Sequence, residues 1–272
     1  MIQPEDIHVP ATIVAAMEEN LIAYITYSSC IPGAQAYQHH DHIAVFTGIP
    51  EPSLNVVMRA RLSSSGLEQR IHEIMLPFKA RNLPMLWWLL PGSQPHDLER
   101  SLCEQGLRLR DDGPGMVLAL KNLPLSPLTF PGFVIEEVND EATLQAWIRT
   151  SAIAFGSDPE HIDPHYVRFE QCLGYDPALP YRRFLGRLYG LPVATAALFL
   201  DSSVAGLYSV GVLPAFRSRG YGTAISLAAL HYASAQGYLL GILQSSEPGY
   251  RIYARLGFQE YCRMRSYMWL PA

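Results

Sequence analysis

The stretch from Val210 to Ala224 reads VGVLPAFRSRGYGTA. A β-like run enters a basic, glycine-rich turn that opens a helix. Glycines let backbone approach a ligand closely and adopt unusual dihedrals. The first N–H groups of a helix have no intrahelical partner, so they point at an anion. Arg217 and Arg219 add positive charge beside them. The chemistry this pattern offers is capture of a diphosphate. A P-loop needs Gly-Lys-Ser/Thr, a tripeptide this chain lacks. The dinucleotide fingerprint GxGxxG fails, because Ile225 stands where the third glycine belongs. A lone GxG is otherwise a common strand-to-helix turn.

Downstream, Ser246-x-x-Gly249-x-x-x-Tyr253-x-x-Leu256-Gly257-Phe258 forms a second pattern. Arg217-x-x-Gly220-x-Gly222 resembles the Arg/Gln-x-x-Gly-x-Gly/Ala motif of the GNAT superfamily of N-acetyltransferases. The downstream pattern is similar to that family's Asn-x-x-Ala-x-x-Phe/Tyr-Tyr-x-x-x-Gly-Phe, with Ser246 and Gly249 as departures. The resemblance runs from Phe133 to Leu270. It implies acetyl-CoA as donor substrate, lying in a V-shaped opening between the strand ending at Val212 and that at Leu239–Gln244. It further implies pantetheine pairing along Ser209 to Val212, including Val210 and Gly211, with the Val210 N–H polarising the thioester carbonyl. The pyrophosphate would rest on Arg217, Ser218, Arg219, Gly220, Tyr221, Gly222 and Thr223. Ser246 would touch pantetheine, and Tyr253 would protonate the departing thiolate; Tyr250 is the rival donor. The implied reaction is direct attack of a primary amine on acetyl-CoA in a ternary complex, without a metal. A non-catalytic acyl-CoA-binding module and an acyltransferase using another acyl-CoA are the alternatives.

The elements that must position these residues follow from patterning. Phe133–Val138, Arg182–Leu188, Pro192–Leu200, Ala205–Leu213, Leu239–Gln244, Phe258–Tyr261 and Met264–Leu270 read as strands. Asp140–Ala154, Asp163–Leu173, Gly220–Gln236 and Gly249–Leu256 read as helices, with Asp140 as an N-cap and Gly237 and Gly257 as stops. Asp201-Ser202-Ser203 supplies turn chemistry. In the first half, Leu83–Leu90 reads as a strand, His96–Gln105 as a helix stopped by Gly106, and Leu107–Leu109 and Met116–Leu120 as closing strands. That order repeats the end of the chain. Aligning Gly106 with Gly257 puts Leu102 opposite Tyr253, and Ser65-Gly66 near Gly220. The expectation is an α/β (α+β) protein of two tandem GNAT-like domains. Each has a mixed, mostly antiparallel sheet flanked by helices. The first (1–130) is degenerate and the second (131–272) catalytic. The boundary falls at the proline-rich Leu123-Pro124-Leu125-Ser126-Pro127 and Pro131-Gly132.

Composition narrows the rest. The chain has 272 residues, is 49% apolar, and carries a net charge of −5. The two halves carry −4 and −1. Neither is a nucleic-acid binder by charge. Only Lys79 and Lys121 are lysines, which disfavours a polybasic membrane patch. No run approaches a membrane span, and Met1–Asp6 has no leader character. Cys30, Cys103, Cys172 and Cys262 form no CxxC pair, so a cytoplasmic protein of a reducing compartment is expected. His39-His40-Asp41-His42 has too few ligands for a metal site and reads as a polar loop. His231 reads as a partnered helix residue and Trp87-Trp88 as packing. Phe155–His165, with Asp158, Glu160, Asp163 and two histidines, is either a solvated loop or the wall of the acceptor site. The acceptor, the general base and the oligomeric state are not fixed by sequence.

Overall fold

The computed structural model describes residues 9–124, 128–201 and 204–271. Leu125-Ser126-Pro127, Ser202, Ser203 and the leader position Met1–Asp6 lie outside them. The N-terminal half runs α1 (Pro10–Tyr27), β1 (Gln35–Gln38), β2 (Ile43–Phe46), β3 (Val56–Met58), α2 (Leu67–Ala80), β4 (Met85–Leu89), α3 (Leu98–Glu104) and β5 (Arg108–Ala119). The remainder runs β6 (Phe133–Glu137), α4 (Glu141–Ala154), α5 (Pro164–Cys172), β7 (Tyr181–Leu188), β8 (Leu191–Leu200), β9 (Ala205–Val212), α6 (Tyr221–Ala235), β10 (Leu240–Gln244), α7 (Glu247–Arg255) and β11 (Gln259–Trp269).

Local chemistry explains most boundaries. Asp140 caps α4 by accepting from the Thr143 N–H at 2.7 Å, and the helix buries Leu144, Trp147 and Ile148. Asp163 caps α5 through the His165 N–H at 2.8 Å. β8 is buried along most of its length, because α4 and α6 both pack against it. Two expectations change. Phe258–Tyr261 and Met264–Leu270 belong to one strand, β11, with Phe258 just ahead of it. Arg108-Leu109 and Met116–Ala119 likewise fall along one strand, β5, with Leu107 just ahead of it and Leu120 just after it. Asp111-Asp112-Gly113-Pro114-Gly115 has turn composition, yet neither glycine takes left-handed backbone. Asp112 is held instead by Arg263, whose Nε donates to Oδ1 at 3.0 Å. Long-range pairing there overrides local preference.

The chain forms two compact units, and their limits differ from a single cut at residue 130. One comprises Met1–Asn20 and Met116–Glu260. Its strands β6 to β9 pair antiparallel in sequence order, β9 pairs parallel with β10, and the end of β5 lies beside β10. Its core joins Leu118, Phe184, Leu198, Leu207, Ile225 and Phe258. The other comprises Leu21–Gly115 and Tyr261–Ala272. Here β1, β2 and β3 are antiparallel and β3 and β4 parallel. β11 runs antiparallel to β4, from Arg265↔Leu89 to Trp269↔Met85. Phe46, Ile71, Phe78, Trp87, Leu102 and Tyr267 fill its core. Each unit therefore takes an end from the other half of the chain, a fact invisible to a boundary drawn from composition.

The two units repeat one plan. Val56↔Leu86 and Val57↔Trp87 in one match Ala205↔Gly241 and Gly206↔Ile242 in the other. Gly66 and Gly220 are both left-handed N-caps, with φ of 72° and 87°. Gly106 and Gly257 end the short helices at φ of 93° and 96°. After them Leu107 N–H donates to the Leu102 carbonyl at 3.1 Å, and Phe258 N–H to that of Tyr253 at 3.0 Å.

Candidate acyl-CoA site

In the unit Met1–Asn20 plus Met116–Glu260, β9 and β10 pair at Ala205 and Gly206 and at no later described position of β9. β8 continues alongside β9 to Val212, but its register slips between Thr195 and Ala197. The slip is a bulge at Ser209–Val210, and Ser209 has φ +50°. It is pinned on the β8 side. Thr195 Oγ1 donates to the Ser209 carbonyl at 3.1 Å, and Trp147 Nε1 to the Ala196 carbonyl at 3.2 Å. Beyond Gly206 no described position of β9 is in register with β10, and the strand is locally kinked at the bulge. The resemblance implied an opening at this place, with Val210, Gly211 and Val212 on its wall. Gly211 is small for a packing reason as well, since a Cβ there would lie 2.8 Å from that of Ala154.

β9 leads through a short 3-10 turn, Pro214–Phe216, to the N-terminus of α6. Ser218 and Gly220 have φ of +60° and +87°. Arg217, Ser218 and Arg219 are exposed, and the first-turn residues Gly222 and Thr223 are half-buried. Tyr221 is buried, its ring 4.7 Å from that of Phe133 and 5.4 Å from that of Phe130. The arginines differ in a way sequence did not reveal. Arg217 turns inward, Nε donating to the Val212 carbonyl at 3.1 Å and NH2 to that of Ala154 at 2.8 Å. It braces the turn against α4. Arg219 stays outside, stacked 5.6 Å over Phe216.

Tyr253 lies on α7 with its ring 5.7 Å from that of Phe258. Its hydroxyl lies beside the Ser226 side chain, and burial, partly offset by that serine, pushes the phenol up to about 12. Ser226 in turn donates to the Gly222 carbonyl at 2.8 Å. Tyr253 is thereby linked to the first turn of α6. Gly249 makes room for the ring: a Cβ there would sit 3.2 Å from Tyr253 Cε2 and 3.1 Å from Ser245 Oγ. Ser246 is the exposed N-cap residue of α7, and its side chain makes no capping bond. Tyr250, the rival donor, is exposed. Ser226 and Phe130 were missed by sequence reading. Ser226 is a buried hydroxyl among alanines and leucines, one turn after Gly222, and that polarity on an apolar face was the available signal.

The segment between α4 and α5 spends two carboxylates on itself. Asp158 accepts from the Glu160 N–H at 2.9 Å and meets His161 Nδ1 at 3.0 Å, while Asp163 caps α5; Glu160 remains exposed. α5 is anchored to the sheet by Arg183, a buried residue of β7. Its guanidinium donates to Glu170 Oε2 at 2.7 Å, to the Glu170 carbonyl at 2.9 Å and to that of Gly174 at 2.6 Å. Tyr181 and Trp147 face the cation at 4.4 and 5.2 Å. Burial pushes the Glu170 carboxyl up and the Arg183 charge opposes it.

The corresponding place in the other unit is closed. Gln94 N–H donates to the Ala60 carbonyl at 2.8 Å, and Leu62 N–H to that of Gln94 at 2.9 Å. The chain's own backbone occupies the edge that β9 leaves open. No Arg-x-x-Gly-x-Gly surrounds Gly66, and Leu102, fully buried, stands for Tyr253. His39-His40-Asp41-His42 is the β1–β2 connection. Asp41 is taken by Arg70 (Nε to Oδ2, 2.8 Å) and by His42 Nδ1 at 2.8 Å, and His42 stacks 4.4 Å from His39. Among the described residues no group of three His, Cys, Asp or Glu gathers as metal ligands. Trp87 is core. His231, expected to be partnered, keeps Nε2 buried with no hydrogen bond among the described residues. No described helix is long and apolar enough to cross a membrane.

Known proteins share this architecture. Residues 143–258 match the acetyltransferase (GNAT) family. A mycothiol acetyltransferase of Thermomonospora curvata is 28% identical over 151 residues, 52% of this chain and 50% of that protein. The chain thus aligns with about half the length of this curated relative. A GCN5-related N-acetyltransferase from Kribbella flavida superposes with a TM-score of 0.68 at 20% identity, covering 92% of this chain and 94% of that one. A tandem GNAT protein from the clavulanic acid biosynthesis pathway covers 93% and 95%, with a TM-score of 0.58 at 14% identity. These two structures share the fold across both units. With the splayed strands, the bulge and the glycine turn in place, the chain carries an acetyltransferase domain of the GNAT family over residues 143–258.

Proposed function

We propose that the unit Met1–Asn20 plus Met116–Glu260 is an acetyl-CoA-dependent N-acetyltransferase. The observation that carries this reading is the parting of β9 from β10 at a bulge, on the strand that ends in the Gly220 turn. Pantetheine adds as a strand along Ser209–Val212. The pyrophosphate rests on Arg219, Gly220, Gly222 and Thr223, with Arg217 holding the turn's shape and Ser246 contacting the arm. The Val210 N–H polarises the thioester carbonyl. A neutral primary amine attacks that carbon; the N–C bond forms, the C–S bond breaks, and Tyr253 gives its proton to the thiolate. The amine's surplus proton leaves through solvent or the polar Phe155–His165 segment. The acceptor is a small-molecule or peptide amine, and neither nucleic acid, membrane nor metal takes part.

Calorimetric titration with acetyl-CoA and with CoA tests the donor site, followed by thiol-release assays on an amine panel with acetyl-, propionyl- and succinyl-CoA. Absence of binding by either nucleotide ends this reading. A second reading, a non-catalytic acyl-CoA-binding module, is favoured by one observation: the Tyr253 hydroxyl is turned to Ser226. Binding without turnover of any amine, and Tyr253→Phe without effect, would decide for it.

A further inference from the structure

Ser226 is 1% exposed in the body of α6, between Ile225 and Leu227. Its hydroxyl donates to the carbonyl four residues back, that of Gly222, at 2.8 Å. That bond uses the one proton the group has, and two lone pairs remain. α7 brings a second hydroxyl to them, since Tyr253 lies beside the Ser226 side chain. The tyrosine ring is fixed there on two sides. Phe258 meets it edge-on at 5.7 Å, and a Cβ on Gly249 would come within 3.2 Å of its Cε2. With the serine proton committed to Gly222, the phenol is the donor of the pair. The two hydroxyls thus form a directed chain from Tyr253 to the first turn of α6, where the glycine-rich turn ends.

We infer that Ser226 is a positioning residue for Tyr253: it holds the phenol while the thioester is intact, and turns its own proton to the phenolate once the phenol's proton has left. The inference rests on the acetyltransferase reading. In that step the C–S bond and the Tyr253 O–H bond break, the S–H bond forms, and a phenolate is left. The Ser226 O–H bond stays whole and rotates from the Gly222 carbonyl to the phenolate oxygen. The new bond has an ionised acceptor and is stronger than the one given up. The Gly222 carbonyl keeps its place in the backbone ladder of α6. The amine's surplus proton, carried by water, restores the phenol. A phenol that burial pushes up to about 12 makes a costly phenolate, so a donor beside it lowers the cost of the step. The turn of the Tyr253 hydroxyl toward Ser226 is then part of the reaction and does not count against it.

The test is steady-state kinetics with acetyl-CoA and the amine panel for the full chain, Ser226→Ala, Tyr253→Phe and the double variant. Calorimetric acetyl-CoA titration and circular dichroism melts accompany each. Alanine suits a helix interior, so α6 should stay intact. Ser226→Ala should lower kcat about tenfold or more, the worth of a hydrogen bond to a charged group, with KM and Kd for acetyl-CoA unchanged. Added to Tyr253→Phe, it should change kcat by less than about twofold, because the phenol through which it acts is gone. A serine that only shapes the turn would raise the acetyl-CoA Kd, or lower kcat whether or not Tyr253→Phe is present. Either result overturns the role, as does wild-type kcat in Ser226→Ala. Absence of turnover of any amine by the unaltered chain overturns the acetyltransferase reading itself and this role with it.

Discussion

Gly220→Ala puts a methyl group where two constraints meet. The backbone there has φ +87°, a left-handed conformation costing an L-residue roughly 1–2 kcal/mol. The new Cβ would also lie 2.7 Å from Phe130 Cζ, too close for carbon atoms, so the ring or the turn must move. If the turn keeps its shape, the strain appears as lost stability of about 2 kcal/mol or more. If it relaxes, the strain reappears as weakened diphosphate binding, about tenfold per 1.4 kcal/mol. Urea unfolding and acetyl-CoA titration on the same preparation measure both shares, and their sum is the predicted quantity. Gly222→Ala is the internal control. Its Cβ meets only Val212 Cγ2 at 3.3 Å, and no left-handed dihedral is needed, so its stability should change by well under 1 kcal/mol. Adding Phe130→Leu to Gly220→Ala should restore the steric part and leave the dihedral part. A Gly220→Ala protein with wild-type stability and wild-type affinity would refute the reasoning.

Tyr253→Phe should lower kcat by ~100-fold or more, the usual range for a positioned acid, with acetyl-CoA affinity unchanged within error. Because burial holds the phenol near 12, it stays protonated throughout assays below pH 10. Any alkaline limb in that range should therefore have its origin elsewhere, and a limb traced to Tyr253 by its shift to lower pH in a 2-fluorotyrosine variant would contradict the geometry. Since Gln94 fills the equivalent edge of the other unit, calorimetry should return one acetyl-CoA per chain; two would show that edge to be available. Arg183→Met leaves the Glu170 carboxylate buried without its partner and should cost ~3–5 kcal/mol, whereas Arg183→Met with Glu170→Met should recover most of it; equal melts for single and double variants would be the contrary result. His42 is held neutral in the fold by burial, which outweighs Asp41. The unfolded chain takes up that proton near pH 6.5, so stability should decline as pH falls below that value. His42→Gln should flatten the decline, and an unchanged slope in denaturant titrations at pH 7 and 5.5 would exclude this origin.

The parts legible in sequence were those written locally. The Gly220 turn, the Asp140 and Asp163 caps, the stops at Gly237 and Gly257, and the helix–glycine–strand repeat all depend on neighbours a few residues apart. The Ser209 bulge was not legible, because it arises from how β9 sits against Thr195 and Ala196 rather than from its own composition. The direction of Arg217 was hidden for a similar reason: its acceptors, Val212 and Ala154, come from the end of β9 and the end of α4. The continuity of β5 across Asp111–Gly115 was not legible, since turn-favouring residues there are drawn into the strand by pairing with distant chain. The exchange of ends between the units left no local mark.

That exchange bears on how the protein is made. β4, with the sequence Met-Leu-Trp-Trp-Leu, waits for β11 as its neighbour, and the whole of residues 116–260 must be synthesised first. Counted from the end of β4 at Leu89 to Arg265 of β11, ~5–20 residues per second makes the delay roughly 9–35 s. During it an apolar strand edge stands unpaired on the nascent chain, a hazard for pairing with another chain. The N-terminal half is therefore translated first but completed last, and its yield in cells should depend on chaperones that shield that edge until translation ends.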